Sequence, residues 1–158
     1  MTIPTLRKER PLPDLVRPVL VSACWWFSAF AMAADIDGRW LTFDSESGDK
    51  RSVIEITHTN DNFRGRIVEL FIRPGEPSDP DCDLCDGAQH GRKIRGMDIL
   101  FLSPATSGIG YAGKVLDPEE GRFYECTVTL DANGKRLSIR GYVGIPLFGR
   151  SAVWERLE

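Results

Sequence analysis

Apolar and polar residues alternate in short runs, and no window of 11–18 residues after Ala34 keeps a helical period. In residues 52–59, Ile54 and Ile56 fall on one face, with Glu55 and Thr57 on the other. In residues 122–130, Tyr124, Cys126, Val128 and Leu130 oppose Glu125, Thr127 and Thr129. In residues 136–143, Leu137, Ile139 and Val143 oppose Arg136, Ser138 and Arg140. This two-residue period predicts strands at 39–43, 52–59, 63–72, 97–102, 111–116, 122–130, 136–143 and 151–157. Asn60-Asp61-Asn62, Asp117-Pro118-Glu119-Glu120-Gly121 and Asp131-Ala132-Asn133-Gly134 supply turns between them. The prediction is an all-β, antiparallel, up-and-down barrel of about eight strands, because closure removes exposed edges. Such an interior is filled by side chains or holds one small ligand. Residues 73–95 interrupt the spacing with a long stretch that has no strand pattern.

The start of the chain has a different character. Arg7, Lys8, Arg10 and Arg17 precede an uncharged run at 19–34 that closes on Ala31-Met32-Ala33. A spanning helix needs about 20 apolar residues, and this run is shorter. The pattern predicts a signal peptide at 1–33, cleavage after Ala33, and a single barrel domain at 34–158. The expected location is periplasmic or secreted, with no stable membrane span after cleavage. A membrane anchor through residues 19–34 is the alternative. Val21-Ser22-Ala23-Cys24 also resembles a lipoprotein processing box, but most of the apolar run follows Cys24.

Composition narrows the partners. The chain has 20 Lys+Arg against 23 Asp+Glu, for a net charge of −3. Residues 1–33 hold four basic and two acidic groups, so 34–158 carry 16 against 21, or −5. No nucleic-acid partner is expected from a chain without a basic excess. No Gly-x-Ser-x-Gly and no phosphate-binding glycine loop occurs, so no catalytic residue and no cofactor is assigned.

Cys82-x-x-Cys85 lies in the long loop and has four readings. A structural disulfide suits an exported chain. A redox pair is disfavoured by Asp81, Asp83 and Asp86, which raise thiol pKa values. Zinc on Cys82, Cys85 and His90 lacks a fourth knuckle ligand, since position 95 is Arg95, so water or Asp86 would have to complete the site. Calcium on Asp79, Asp81 and Asp83 lacks the glycine and glutamate of an EF-hand loop. Cys126 reads as a buried small hydrophobe, and His58 as a rim residue at a strand end.

Several local patterns together resemble one family. These are Gly38-Arg39-Trp40, Asp117-Pro118 with Gly121-x-x-Tyr124, and Arg140-Gly141-Tyr142-x-Gly144-x-x-Leu147-Phe148-Gly149-Arg150 followed by Trp154-x-Arg156. They are similar to the bacterial secreted proteins of domain of unknown function 2147, over about residues 37–157. The resemblance implies a signal peptide and a lipocalin-like barrel, and implies no activity. Gly-x-Trp also resembles the first lipocalin motif, which implies that Trp40 closes the barrel base against Arg156 from the last strand.

Three functions follow as expectations. The first is a non-enzymatic binder of a small apolar or amphipathic ligand. Its wall would be Ile54, Ile56, Ile67, Tyr124, Val128, Ile139 and Val143, with Glu69 desolvated among them if its face points inward; the alternative is an outward Glu69 paired with an arginine of a neighbouring strand. The second is an envelope protein-interaction module using rim loops 73–95 and 144–149. There Leu147, Phe148 and Arg150 would meet a protein partner, unless Leu147 and Phe148 plug the barrel end. The third is an enzyme using a loop metal or Glu69.

Overall fold

The computed structural model of the protein describes residues 35–158. The expected signal peptide at 1–33, the anchor at 19–34 and Cys24 lie outside the described residues. Eight strands run in chain order: β1 (Gly38–Phe43), β2 (Lys50–Thr59), β3 (Asn62–Leu70), β4 (Asp98–Pro104), β5 (Tyr111–Asp117), β6 (Arg122–Leu130), β7 (Arg136–Tyr142) and β8 (Arg150–Leu157). Each pairs antiparallel with its neighbour, and β1 pairs with β8, so the sheet closes into a barrel. The all-β, up-and-down, eight-stranded architecture that alternation predicts is the one observed.

Turn chemistry explains the short connections. Asn60 adopts φ 58° in the β2–β3 turn, a conformation that asparagine tolerates. Asp131 Oδ1 accepts from the backbone N–H groups of Lys135 and Arg136, and Gly134 completes the β6–β7 turn at φ 73°.

The interior is packed. Trp40, Ile54, Leu100, Val128 and Leu137 are each 0% exposed. A void wide enough for water would leave accessible area on its lining, so none borders these side chains. Gly65 shows how tight the fit is. A Cβ there would sit 2.8 Å from Leu100 Cβ and 3.0 Å from Ile54 Cγ2.

Among the described residues, three register shifts interrupt the ladders, and two of them, both on β3, bear on Glu69 and on an outer ion pair. Ile54 pairs with Ile67, but Val53 pairs with Glu69, so Val68 is an extra residue. Past it the alternation inverts and Glu69 points out to solvent. Of the two readings of Glu69, the outward one holds, and it supplies no carboxylate to the barrel wall. A second shift, between Gly65 and Arg66 opposite β4, aligns Arg66 with Asp98 on the outer surface. Arg66 Nε donates to Asp98 Oδ1 at 2.6 Å, which holds the Asp98 carboxyl below its usual pKa.

The folded pKa is depressed, so this pair's contribution is present above the unfolded carboxylate pKa of about 4 and is lost as pH falls through the folded value. We expect Asp98→Asn to lower stability by about 0.5–1 kcal/mol at pH 7. The difference from the parent shrinks below pH 4, read by urea denaturation at each pH.

Candidate functional site

The two ends of the barrel are built differently. The end carrying the β1–β2, β3–β4, β5–β6 and β7–β8 connections is covered. Cys82 and Cys85 form a disulfide with Cα atoms 5.4 Å apart. Both are buried, in one apolar cluster with Met97, Leu116 and the barrel interior. Gly121 permits this close approach, since a Cβ there would lie 1.9 Å from the Leu84 carbonyl oxygen. Arg51 bonds Glu76 at 2.9 Å and Glu119 at 2.6 Å, while Arg73 bonds Asp44 at 2.9 Å. The long loop is thus strapped to its neighbours. A bridge between Asp81 and Lys93 and a 3-10 turn at Gly87–Gln89 order it internally.

The cysteine alternatives resolve here. The disulfide consumes both sulfurs, so zinc on Cys82, Cys85 and His90 is corrected. His90 Nδ1 instead lies 3.0 Å from the Cys85 carbonyl oxygen. Asp79 and Asp81 are paired with Lys93, at 3.6 and 2.9 Å. Cys126 is a buried free cysteine whose thiol pKa burial pushes up to about 12. It has no thiolate chemistry at neutral pH.

On the same end, the β7–β8 connection projects apolar side chains. Leu147 is 75% and Phe148 80% exposed. They do not plug the barrel, which corrects that expectation. Val143 is 74% exposed, because β7 ends at Tyr142 and the chain turns at Gly144 with φ 78°. It is not part of the interior wall. Arg140 holds the turn rigid, donating to the Pro146 carbonyl at 2.7 Å and the Leu147 carbonyl at 3.0 Å.

The opposite end contains the closure. Arg156 stacks on Trp40, its guanidinium carbon 4.3 Å from the ring centroid. It also donates to the carbonyls of Asp35, Asp37 and Gly134, each at 2.6 Å. Trp40 Nε1 donates to the Ile36 carbonyl at 2.8 Å. The segment before β1 is thereby pinned across one side of the barrel, with Ile36 buried beneath it.

Beside that closure lies an open cleft of about 570 Å³. Phe63, Ile109, Tyr111 and Leu130 form apolar walls, and Asp35, His58, Asn60 and Asp61 form the rim. Phe63 and Tyr111 meet edge to face, with centroids 4.8 Å apart. His58 Nδ1 is hydrogen-bonded to Asp37 Oδ2, which raises the imidazole pKa. Burial, with the fields of Asp35 and Asp37, raises that of Tyr111. A second, shallower groove crosses the outer face between Phe101 and Phe123, floored by Gly113.

Of the expected wall residues, Ile54, Ile56, Ile67, Val128 and Ile139 point inward and are packed solid. Tyr124 is half-buried and donates its hydroxyl to Glu120. None of them lines the cleft. Phe63, Ile109 and Tyr111 were not singled out from the sequence. Gly108-Ile109-Gly110 was the available signal, an apolar residue set between glycines at a strand connection.

Known proteins support the architecture. The family described as "Uncharacterized protein conserved in bacteria (DUF2147)" matches residues 38–156. The chain is similar in structure to protein HP1028 from Helicobacter pylori, described as belonging to the lipocalin family. The TM-score is 0.65 at 19% identity, over 79% of this chain and 84% of that one. At this identity the likeness shows the lipocalin-like fold alone. No curated protein matches the chain. Among the described residues, no helix is long and apolar enough to cross a membrane.

Proposed function

This chain belongs to the DUF2147 family, and we propose that it is a non-enzymatic binding protein for a small amphipathic molecule, held at the open mouth of the barrel and not in its interior. The supporting observation is the cleft beside Trp40 and Arg156. Its volume suits a small ligand, and its apolar walls face a polar rim. The apolar part of the ligand rests on Phe63, Ile109, Tyr111 and Leu130. Its polar part reaches Asp35 and His58. The basic segment, uncharged run and Ala31-Met32-Ala33 support export, which makes the cell envelope the setting of this activity. Peptide sequencing of the processed chain tests that part: it begins at Ala34.

Ile109 offers a clean test because it is 77% exposed and bears little of the fold. A fluorescent long-chain amphipath should bind the parent chain in titration. Ile109→Ser weakens it about tenfold, with the unfolding midpoint unchanged. Equal affinity in the two proteins contradicts the cleft reading.

A second reading rests on the rigid apolar turn at 143–149. Exposed Leu147 and Phe148, held in place by Arg140, form a surface suited to a protein partner in the envelope. Loop 73–95 adds little to it, being strapped to the barrel, and Arg150 flanks the turn as an exposed cation. A photo-crosslinking residue at position 148 should trap one defined partner in envelope extracts. The same probe at Arg39, on the barrel's outer surface, should not. Indistinguishable patterns at the two positions remove this reading.

A further inference from the structure

We propose that Asp35, Asp37 and His58 form a binding site for a divalent transition-metal ion at the mouth of the barrel. One ligand atom from each residue lies within 4.8 Å of the other two. The set comes from two elements: the segment leading into β1, and the end of β2. The pairing of Gly38 with Ile56 brings them side by side. The Asp35 and Asp37 backbones are fixed before any ion arrives, since Arg156 holds both carbonyls and Ile36 is buried between them. Their carboxylates are thereby presented from a rigid frame.

A second observation points the same way. Asp37 Oδ1 is shielded from solvent and has no hydrogen-bond partner, while Oδ2 faces His58. The Asp37 side chain as a whole is 34% exposed, but Oδ1 itself is enclosed, and a cation is one group that would satisfy it.

The donor set selects the ion. One imidazole nitrogen and two carboxylates suit zinc or manganese and do not suit copper(I), which takes thiolates and thioethers. Zinc with three protein ligands keeps a fourth position open. Asp35 and His58 also line the cleft, so water or the polar group of a bound amphipath there can complete the coordination. The metal site does not require the amphipath. Its test uses zinc alone, so the two ideas fail separately.

Calorimetric titration of the processed chain with zinc chloride should show one ion per chain, with a dissociation constant in the micromolar range, about 1–100 μM. His58→Gln and Asp37→Asn should each weaken it at least about tenfold, whereas Ile109→Ser leaves it unchanged. Circular dichroism of each variant confirms that the fold survives. A shift of the His58 ring proton signals on adding zinc, read by NMR, places the ion. No binding at about 1 mM zinc, or zinc affinity that His58→Gln leaves intact, overturns the proposal.

Discussion

Arg156→Ala should destabilise the barrel by about 3 kcal/mol. One guanidinium does four things. It covers the Trp40 ring and satisfies three carbonyls, on Asp35, Asp37 and Gly134. Truncation leaves those carbonyls to water and uncovers the indole face. A stacked cation contributes about 0.5–2 kcal/mol and a charged hydrogen bond about 1.5–3, but water recovers part of the latter where the carbonyls become exposed. Arg156→Lys keeps the charge and loses the planar fork, so it recovers less than half of the loss. Urea denaturation at fixed pH reads both. Because Arg156 also fixes the segment before β1, the alanine variant weakens zinc binding at Asp35 and Asp37 as well.

The second large effect lies in the filled interior. Leu100→Ala should cost about 2–5 kcal/mol, since Leu100 is fully buried against Gly65. It should also create a property the parent lacks. An apolar cavity opened in a packed core stays dry and admits a benzene-sized molecule. Benzene should therefore raise the unfolding temperature of Leu100→Ala and leave the parent unmoved. A parent stabilised by benzene to the same degree means the barrel already holds a cavity, and the interior-wall reading returns.

The strands were legible because a closed antiparallel barrel has one dry face, and each strand must show it every second residue. That is why Tyr124 to Leu130 and Leu137 to Ile139 announce their inward faces. Alternation fails where an extra residue enters a strand. The bulge at Val68 reverses Glu69, and only the pairing with Val53 reveals it. Val143 continues the inward parity of β7 on paper, but Gly144 turns the chain one residue later. The bulge is not visible in local sequence; Gly144 is, but alternation alone does not say that the strand stops before it.

The spacing of Cys82 and Cys85 leaves four readings open. Expected export favours the disulfide that is observed, and the flanking aspartates weigh only against a redox pair. The candidate site was less legible. Asp35 and Asp37 precede the first strand and look like solvated charges. Their meeting with His58, across 21 residues from Asp37, follows from register. The cleft walls, Phe63, Ile109 and Tyr111, come from the start of β3, the β4–β5 connection and the start of β5, which the β3–β4–β5 pairing brings together.

A single measurement reaches the center of this account. Amide and methyl NMR shifts of the processed chain should be followed while a long-chain amphipath is added. The account predicts that shifts concentrate at His58, Phe63, Ile109, Tyr111 and Leu130, with Ile54, Val128, Leu137 and Ile139 undisturbed. Shifts centred on those four interior residues would contradict it.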